Sequence, residues 1–460
     1  MKIIIVGAGK VGYYTAKHLC QEDNDVVIID KNQEVLQKAA DDLDVMCIRG
    51  SGLSTRVLLS AGVQEADLII AATTSDEINM LCCLTGKRLG VKHTIARIRD
   101  PEYSYELSVL KKEMGLDMVI NPEQESAGEI ARVLRFPAAI NIETFVNGRV
   151  EMVAFRVRAD DIFCGQTLMQ TMSRLNVPIV FCAVLRQDKV MIPNGNTRME
   201  AGDLAYIVGE PPFIHTFFKK IGRYSGKTKN VLIIGGGKIA RYLCEDIAEV
   251  GIRAKIIERD YKVCESLSEG LPNCVIIHGD GSDEAVLHSE NMGAFDSVVT
   301  LTGRDEENLL VALYASQMGV PKVIAKINRP NYEEMIRGFG IDSVVSPKSV
   351  TASQIIRFVR ALKNSMGCSI ETLYKIVDNR VEALVFLAND TTQHLGEPFK
   401  DVQFRKNFIV AAIERRGKVI IPSGSDCIEK GDRVVIVSTE ARVETLNDVF
   451  EKTETGGWAH

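Results

Sequence analysis

Three glycines near the start of the chain, Gly7, Gly9 and Gly12, have the G-x-G-x-x-G spacing of loops that bind a dinucleotide pyrophosphate. The first glycine permits a tight strand-to-helix turn and the second lets a pyrophosphate approach the backbone. The third position needs a small residue because helix and strand pack closely there. Unpaired N–H groups and the dipole at the N-terminus of the following helix favour negative charge. The spacing therefore predicts a phosphate-binding loop.

An acidic residue follows the loop at the end of the next predicted strand. Asp30 stands 18 residues past Gly12, and its carboxylate can accept hydrogen bonds from ribose hydroxyls. The same carboxylate would repel a 2′-phosphate, so the pattern favours NAD over NADP. An adenine nucleotide also carries phosphates and a ribose, so the motif does not by itself exclude ATP or ADP.

The arrangement occurs a second time, 228 residues later. Gly235 and Gly237 repeat the first two glycines, Ala240 replaces the third, and Glu258 stands where Asp30 does. Alanine is small enough for the packing position. The sequence therefore predicts two nucleotide sites, and the second binds either a different nucleotide or the same one more weakly.

Basic residues at the end of a later predicted strand could reach the phosphates. The first copy has Arg97 and Arg99 there, and the second has Lys326 and the neutral Asn328, with Arg329 next. The alternative reading of these residues is simple surface charge. The candidate binding residues are, in the first copy, Gly7, Gly9, Lys10, Val11, Gly12, Asp30, Lys31, Ser51, Thr73, Thr74, Arg97 and Arg99, and in the second copy Gly235, Gly237, Lys238, Ile239, Glu258, Arg259, Asp280, Thr302 and Lys326.

Alternating strand and helix patterns around each loop predict a parallel sheet with helices on both faces. In the first copy Asp76 is expected to cap a helix over residues 76–89. Pro122 is expected to open another helix over residues 123–134. The predicted strands are residues 3–6, 26–29, 45–48, 67–72, 94–98 and 117–120.

Short strands separated by turn residues, such as Gln187 and Asp188, replace this alternation from about residue 138 to residue 218. Residues 230–452 then repeat both parts, which gives an A-B-A-B order. The predicted fold class is α/β, with two Rossmann-like doubly wound parallel sheets, each followed by a small β-rich α+β lobe. The predicted nucleotide-binding lobes are residues 1–136 and 230–361, the small lobes 137–218 and 362–452, the linker 219–229 and the tail 453–460.

A phosphate-binding P-loop is the alternative reading of one stretch in the linker. Gly222 to Thr228 read G-x-x-x-G-K-T, which is one residue short of the P-loop spacing between the glycines. The stretch also leads into a strand, whereas a P-loop leads into a helix. It is therefore interpreted as a polar connector.

Composition excludes several other classes of function. A formal net charge of -6 gives no reason to expect nucleic acid as a partner. No apolar run approaches the roughly 18–20 residues of a membrane span, and a strand that begins at Lys2 leaves no room for a signal peptide. The 11 cysteines are scattered without C-x-x-C, and the seven histidines are dispersed. Free thiols in a reducing cytoplasm, and no bound metal, are expected.

A soluble NAD-dependent oxidoreductase is the alternative function. Hydride transfer usually needs an acid or base beside the nicotinamide. A Y-x-x-x-K pattern from Tyr13 to Lys17 lies in the helix that follows the glycine loop, which is the wrong element for a short-chain dehydrogenase. The small lobes offer no cluster of catalytic type, so no catalytic residue is assigned. A duplicated binding unit fits a sensor better than an enzyme.

With its parts in this order, the chain resembles the TrkA family of Trk-type potassium-uptake regulatory proteins. The likeness rests on residues 3–12 (IIIVGAGKVG), 30–31 (DK), 76–79 (DEIN), 96–103 (ARIRDPEY), 233–239 (IIGGGKI) and 258–261 (ERDY). The resemblance implies tandem RCK (KTN) nucleotide-binding lobes, each followed by a TrkA-C lobe. Departures are Ala240 and the loss of an arginine at the counterpart of Arg99.

The resemblance also implies partners and a location. Four two-lobe chains would form a homotetrameric cytoplasmic gating ring, peripheral at the inner face of the cell membrane, docked on a membrane-embedded potassium transporter or channel subunit. Its ligands would be NAD or NADH, with ATP or ADP as further ligands. We expect nucleotide binding at both loops to shift the ring between conformations. The helices after Pro122 and Pro347 would link the lobes mechanically.

Overall fold

The computed structural model describes most of the chain as α/β and antiparallel β structure. The described residues are 1–22, 24–100, 103, 111, 113–136, 138–146, 148–223, 228–329, 341, 343–365, 370–376, 380–440, 443 and 445–451. The chain divides into two compact units, Met1–Ala131 with Thr228–Phe358 and Arg132–Lys227 with Val359–His460. The predicted tail, and residues 224–227 of the predicted linker, lie outside the described residues.

The first α/β lobe is a six-stranded parallel sheet in the order β3-β2-β1-β4-β5-β6. This is the doubly wound order of a Rossmann sheet, whose switch point lies between β1 and β4. Its strands are β1 Lys2–Val6, β2 Asp25–Asp30, β3 Met46–Arg49, β4 Leu68–Ala71, β5 His93–Arg97 and β6 Met118–Ile120, and its helices are α1 Lys10–Cys20, α2 Gln33–Asp42, α3 Thr55–Ser60, α4 Asp76–Leu89 and α5 Pro122–Arg135.

The first small lobe is a five-stranded antiparallel sheet in the order β10-β9-β11-β8-β7. Gln187 and Asp188 have φ values of 44° and 67°, which confirms the predicted tight turn between two strands. Phe155, Phe163 and Phe217 lie fully buried in its core. The elements are β7 Asn141–Phe145, β8 Val150–Arg156, α6 Leu168–Leu175, β9 Ile179–Arg186, β10 Lys189–Met191, β11 Leu204–Gly209 and α7 Pro211–Lys220.

The second α/β lobe repeats the first strand for strand, in the order β14-β13-β12-β15-β16-β17, again all parallel. The predicted fold class is confirmed by these two sheets and the antiparallel sheet after each. The elements are β12 Asn230–Ile234, α8 Lys238–Ala248, β13 Arg253–Glu258, α9 Tyr261–Gly270, β14 Val275–His278, α10 Glu284–Ser289, β15 Ser297–Thr300, α11 Asp305–Gln317, β16 Lys322–Lys326, β17 Ser343–Val345 and α12 Pro347–Ser365.

The second small lobe is an antiparallel sheet in the order β18-β19-β22-β20-β21. One buried apolar cluster joins it to the first small lobe, with Val150 and Val208 from one lobe and Val385 and Val437 from the other. The strands are β18 Ile370–Ile376, β19 Val381–Leu387, β20 Phe408–Arg415, β21 Lys418–Ile420 and β22 Arg433–Ser438.

The N-cap of α4 differs from the sequence prediction. Ser75 is the capping residue, and its hydroxyl accepts the N–H of Ile78. Asp76 is the first helical residue, and its carboxylate accepts the backbone N–H groups of Arg99 at 2.7 Å and Asp100 at 2.9 Å. The predicted cap was therefore wrong, because a tertiary contact with the loop after β5 uses the carboxylate.

None of the helices among the described residues is both long and apolar enough to cross a membrane. Each cysteine in that part of the chain is a free thiol.

Candidate functional site

The first glycine loop joins β1 to α1 with no room for side chains at two of its three glycines. Gly7 has a φ of 103°, and a Cβ there would lie 2.9 Å from the carbonyl oxygen of Ala72 on the neighbouring strand end. A Cβ on Gly12 would lie 1.9 Å from the carbonyl oxygen of Gly7. A Cβ on Gly9 would meet nothing within 4 Å, so the loop opens to its surroundings there. This open N-terminus of α1 is where an anion is favoured.

The acidic residue of each lobe is tied to its own glycine loop. The Asp30 carboxylate accepts the backbone N–H of Ala8 at 2.7 Å and that of Asn32 at 2.8 Å. The Glu258 carboxylate accepts the N–H of Gly236 at 2.6 Å and that of Asp260 at 2.8 Å. Because each carboxylate oxygen has two lone pairs, both acids retain acceptor capacity for ribose hydroxyls. The loop and the acid are thus held as one rigid cradle.

An asparagine on the helix after β4 fixes the next strand ends around the cradle. Asn79 Oδ1 accepts the N–H of Thr73 at 2.8 Å, and its Nδ2 donates to the carbonyl oxygen of Arg97 at 2.8 Å. Asn308 does the same in the second lobe, with Thr302 at 2.8 Å and Lys326 at 3.0 Å. The asparagine therefore joins β4 to β5, and β15 to β16, at the edge where the predicted site residues lie.

A cavity of about 810 Å³ lies over the first glycine loop. Its lining comes from both α/β lobes, because the second lobe contributes Lys326, Asn328 and Lys348 as well as its own glycine loop. The predicted residues that line it are Gly7, Gly9, Lys10, Val11, Asp30, Lys31, Ser51, Thr73, Thr74, Arg97 and Arg99 of the first lobe and Gly237, Lys238, Ile239 and Lys326 of the second.

The charge of this first cavity is strongly positive. Among the described residues that line it, the acidic ones are Asp30 and Glu123, and the basic ones are Lys10, Lys31, Arg97, Arg99, Lys238, Lys326 and Lys348. Such an excess of positive charge in a concave site favours an anionic ligand.

Three of the basic groups are partly desolvated. Burial lowers the pKa of the Arg97 guanidinium, and the charge of Arg99 lowers it further. The carboxylate of Glu123, 3.8 Å away, acts in the opposite direction but does not cancel the shift. Burial also lowers the pKa of the Lys326 and Lys348 ammonium groups, and the charge of Lys10 contributes to both shifts. An anion in the cavity would reverse these shifts because it favours the charged forms.

A second, smaller cavity of about 360 Å³ lies over the glycine loop of the second lobe. It shares Gly237, Leu301 and Lys326 with the first cavity. The predicted residues that line it are Gly235, Gly237, Glu258, Arg259, Asp280, Thr302 and Lys326.

Gly12 is the one predicted residue that lines neither cavity, since it lies buried beneath the loop. Sequence reasoning missed Glu123 and Lys348, which follow Pro122 and Pro347 at equivalent positions and line the first cavity. The signal was the repeated proline at a strand end. The residues that follow the two prolines differ in charge, so they do not repeat as a binding motif.

Hydrogen bonds join the two α/β lobes beside the first cavity. The Tyr242 hydroxyl accepts from Asn121 Nδ2 at 3.0 Å and donates to the carbonyl oxygen of Arg99 at 3.3 Å. Tyr14, the counterpart of Tyr242 in the first lobe, accepts a hydrogen bond from the Ser349 hydroxyl of the second lobe at 3.3 Å. Each tyrosine stands on the helix that begins at its lobe's glycine loop, α8 or α1. The loops are therefore mechanically connected to the facing lobe.

The residues considered for catalysis or metal binding lie elsewhere or do not cluster. Tyr13 donates to Asp42 at 2.6 Å, which raises the pKa of its phenol to about 12, and it does not line the first cavity. No group of three or more His, Cys, Asp or Glu side chains could hold a metal ion within the described ranges.

A glycine-loop α/β lobe that occurs twice, each time followed by a small antiparallel lobe, defines a duplicated Rossmann-type protein. Family models identify the family. The TrkA-N domain model matches residues 3–122 and 231–347, and the TrkA-C domain model matches residues 152–222 and 389–451. The chain belongs to the TrkA family, which confirms the resemblance predicted from the motifs.

Relatives match along nearly the whole chain. A protein of Methanosarcina mazei named "Trk system potassium uptake protein TrkA homolog 1" is 36% identical over 459 residues, which cover 98% of this chain and 100% of that protein. "Trk system potassium uptake protein TrkA" of Haemophilus influenzae is 33% identical over 460 residues, 98% of this chain and 99% of its own.

Solved structures share the fold. The structure titled "Crystal Structure of the GsuK RCK domain" has a TM-score of 0.62 at 18% identity and covers 95% of this chain and 92% of its own. The structure titled "GsuK channel bound to NAD" has a TM-score of 0.63 at 18% identity, with 95% and 76% coverage. At this identity the likeness supports the fold alone.

Proposed function

We propose that this chain is a nucleotide-sensing regulatory subunit of a Trk-type potassium uptake system. A nucleotide in the cavities of the α/β lobes changes how the two lobes are held, and this change controls potassium flux through a membrane partner. The names of the relatives support the transport system, since they are Trk system potassium uptake proteins over almost their full length.

The observation that carries the proposal is that the first cavity is lined by both α/β lobes. A ligand that contacts Gly9 and Asp30 on one side also meets Lys326 and Lys348 on the other. Such a ligand stabilises one relative position of the lobes over others, because a conformational equilibrium shifts by the difference in ligand affinity between its states. Binding and shape are therefore coupled.

The proposed ligand is NAD or NADH, with ATP and ADP as alternatives at either site. The cradle supplies an open helix N-terminus for the phosphates and a braced carboxylate, Asp30 or Glu258, for the ribose hydroxyls. The excess positive charge of the first cavity suits the pyrophosphate of each candidate. A relative in fold, the GsuK channel, is described as bound to NAD.

The proposed assembly is a ring of four chains at the cytoplasmic face of the cell membrane, docked on the membrane-embedded subunit. It follows the family resemblance. The binding residues are proposed to be those of the two cavities, with no catalytic residue among them.

Calorimetric titration of the purified full chain with NAD, NADH, ADP and ATP tests the proposed ligand class and the number of sites. We expect saturable binding with two sites per chain and no consumption of NADH when small carbonyl compounds are added. Absence of binding by all four nucleotides would overturn the proposal. Turnover of NADH would favour an oxidoreductase in its place.

A further inference from the structure

Lys326 and its counterpart in the first lobe, Arg97, differ in the number of cavities that they line. It ends β16 as Arg97 ends β5, and both side chains are anchored at the same edge of their sheets. Arg97 lines the first cavity, whereas Lys326 lines both the first and the second. Among the described residues, Lys326 is thus a basic residue that lines both candidate anion sites.

The ammonium of Lys326 has N–H donors available for a ligand. Its Nζ donates to the carbonyl oxygen of Leu301 at 3.2 Å, and Leu301 itself lines both cavities. A lysine ammonium has three N–H donors, so two remain beside that bond. Burial lowers its pKa, and the nearby carboxylates of Asp305 and Glu123 act in the opposite direction. A phosphate beside it would therefore gain a charge-assisted hydrogen bond.

We propose that Lys326 is a phosphate ligand shared by the two nucleotide sites, and that this sharing makes occupancy of one site weaken binding at the other. The inference rests on the proposed function, since it requires that both cavities bind nucleotides. One ammonium has a single positive charge to share between two phosphates, and two anions held around it repel each other. The coupling is reciprocal, so each nucleotide lowers the affinity of the other by the same factor.

A thermodynamic cycle on the full chain with ADP as the probe measures this coupling. Asp30→Ala disables the first site and Glu258→Ala the second, so each variant reports one site alone. The wild-type isotherm is then compared with the sum of the two single-site isotherms. We expect the second wild-type binding event to be weaker than the single-site value by about fivefold or more. Isotherms that simply add would overturn the coupling.

Lys326→Met tests whether this residue carries the coupling. We expect both sites of this variant to bind ADP more weakly than in the wild type but independently of each other, within about twofold. Lys238→Met is the matched control, because Lys238 lines the first cavity and not the second. It should weaken the first site and keep the coupling. Coupling that survives in Lys326→Met, or that is lost equally in the control, would overturn the role of Lys326.

Lys326→Arg keeps the positive charge and serves as a second variant if the methionine substitution disrupts folding. It should retain the coupling, and a folded arginine variant with independent sites would contradict the proposal. Failure of ADP, NAD and NADH to bind at either site would instead overturn the proposed function itself. The two failures are therefore distinguishable.

Discussion

The Tyr242 hydroxyl lies 3.0 Å from Asn121 Nδ2, although 121 residues separate the two in sequence. Tyr242 stands on α8, the helix that begins at the second glycine loop. Asn121 immediately precedes α5, whose second residue, Glu123, lines the first cavity. This contact links one loop to the lining of the other lobe's cavity, so a movement of one lobe has a direct route to the other.

Tyr242→Phe should weaken the connection between the α/β lobes. Tyr242 is 7% exposed, so the loss of its hydroxyl leaves Asn121 and the Arg99 carbonyl with one partner fewer. We expect a destabilisation of about 1–3 kcal/mol, measured as a lower midpoint of thermal unfolding. Tyr14→Phe is the control, since Tyr14 is less buried and its bond to Ser349 is 3.3 Å long. An equal or larger effect of the control would contradict this role.

Asp30→Ala should remove most nucleotide affinity from the first site. The substitution deletes the ribose acceptor and the partner of the Ala8 N–H together. Loss of a charge-assisted hydrogen bond worth about 1.5–3 kcal/mol corresponds to about 10- to 150-fold weaker binding. Calorimetry should show one occupied site per chain at nucleotide concentrations that fill both sites of the wild type. Unchanged binding would show that the site is assigned to the wrong residues.

Gly12→Ala and Ala240→Gly form a matched pair at the third loop position. A methyl group on Gly12 would lie 1.9 Å from the Gly7 carbonyl oxygen, so the loop must move and the first site should lose affinity. In the second lobe Ala240 is already fully buried, and its change to glycine should cost only about 1 kcal/mol of helix stability. Equal nucleotide binding by Gly12→Ala and wild type would contradict the packing role.

Nucleotide affinity should fall as the pH is raised within the alkaline range. Burial lowers the pKa of Lys326 and Lys348, so both lose protons below the usual range of lysine. An anion favours the ammonium form of these lysines. Nucleotide affinity is therefore highest below the pKa that they have in the ligand-free protein, and it falls as the pH rises through that pKa. The carboxylates of Asp305 and Glu123 raise the pKa of Lys326, whereas the charge of Lys10 lowers it. The two acids therefore shift the loss of affinity to higher pH.

Titration with NADH, in buffers of different ionisation enthalpy, measures this pH dependence as proton uptake on binding. Lys326→Arg should bind with a flatter pH profile because a guanidinium keeps its proton. Wild-type affinity that is constant up to about pH 10, or a profile that is the same in the arginine variant, would contradict the assignment.

Local sequence patterns predicted the elements and the loops because their determinants are local. The helix expected over residues 76–89 is α4, and both acids end their second strands as expected. The N-cap of α4 was missed because Ser75 and Asp76 are both suitable caps. A contact with Arg99, 23 residues further along the chain, decides between them.

The composite nature of the first cavity could not be read from periodicity. It depends on which lobe faces which, and that arrangement is set by contacts such as those of Tyr242 and Ser349 over more than a hundred residues. Glu123 and Lys348 stand at equivalent positions of the two copies but carry opposite charges, so no repeated motif marks them as site residues.

Potassium uptake into membrane vesicles that contain the Trk membrane subunit tests the central claim most directly. Wild-type chain should make the uptake rate depend on added nucleotide, with NADH and ATP compared at equal concentration. The double variant Asp30→Ala, Glu258→Ala should still associate with the vesicles but give an uptake rate that no nucleotide changes. An identical nucleotide response from the double variant, or none from the wild type, would contradict the claim that these two cradles sense nucleotides for potassium transport.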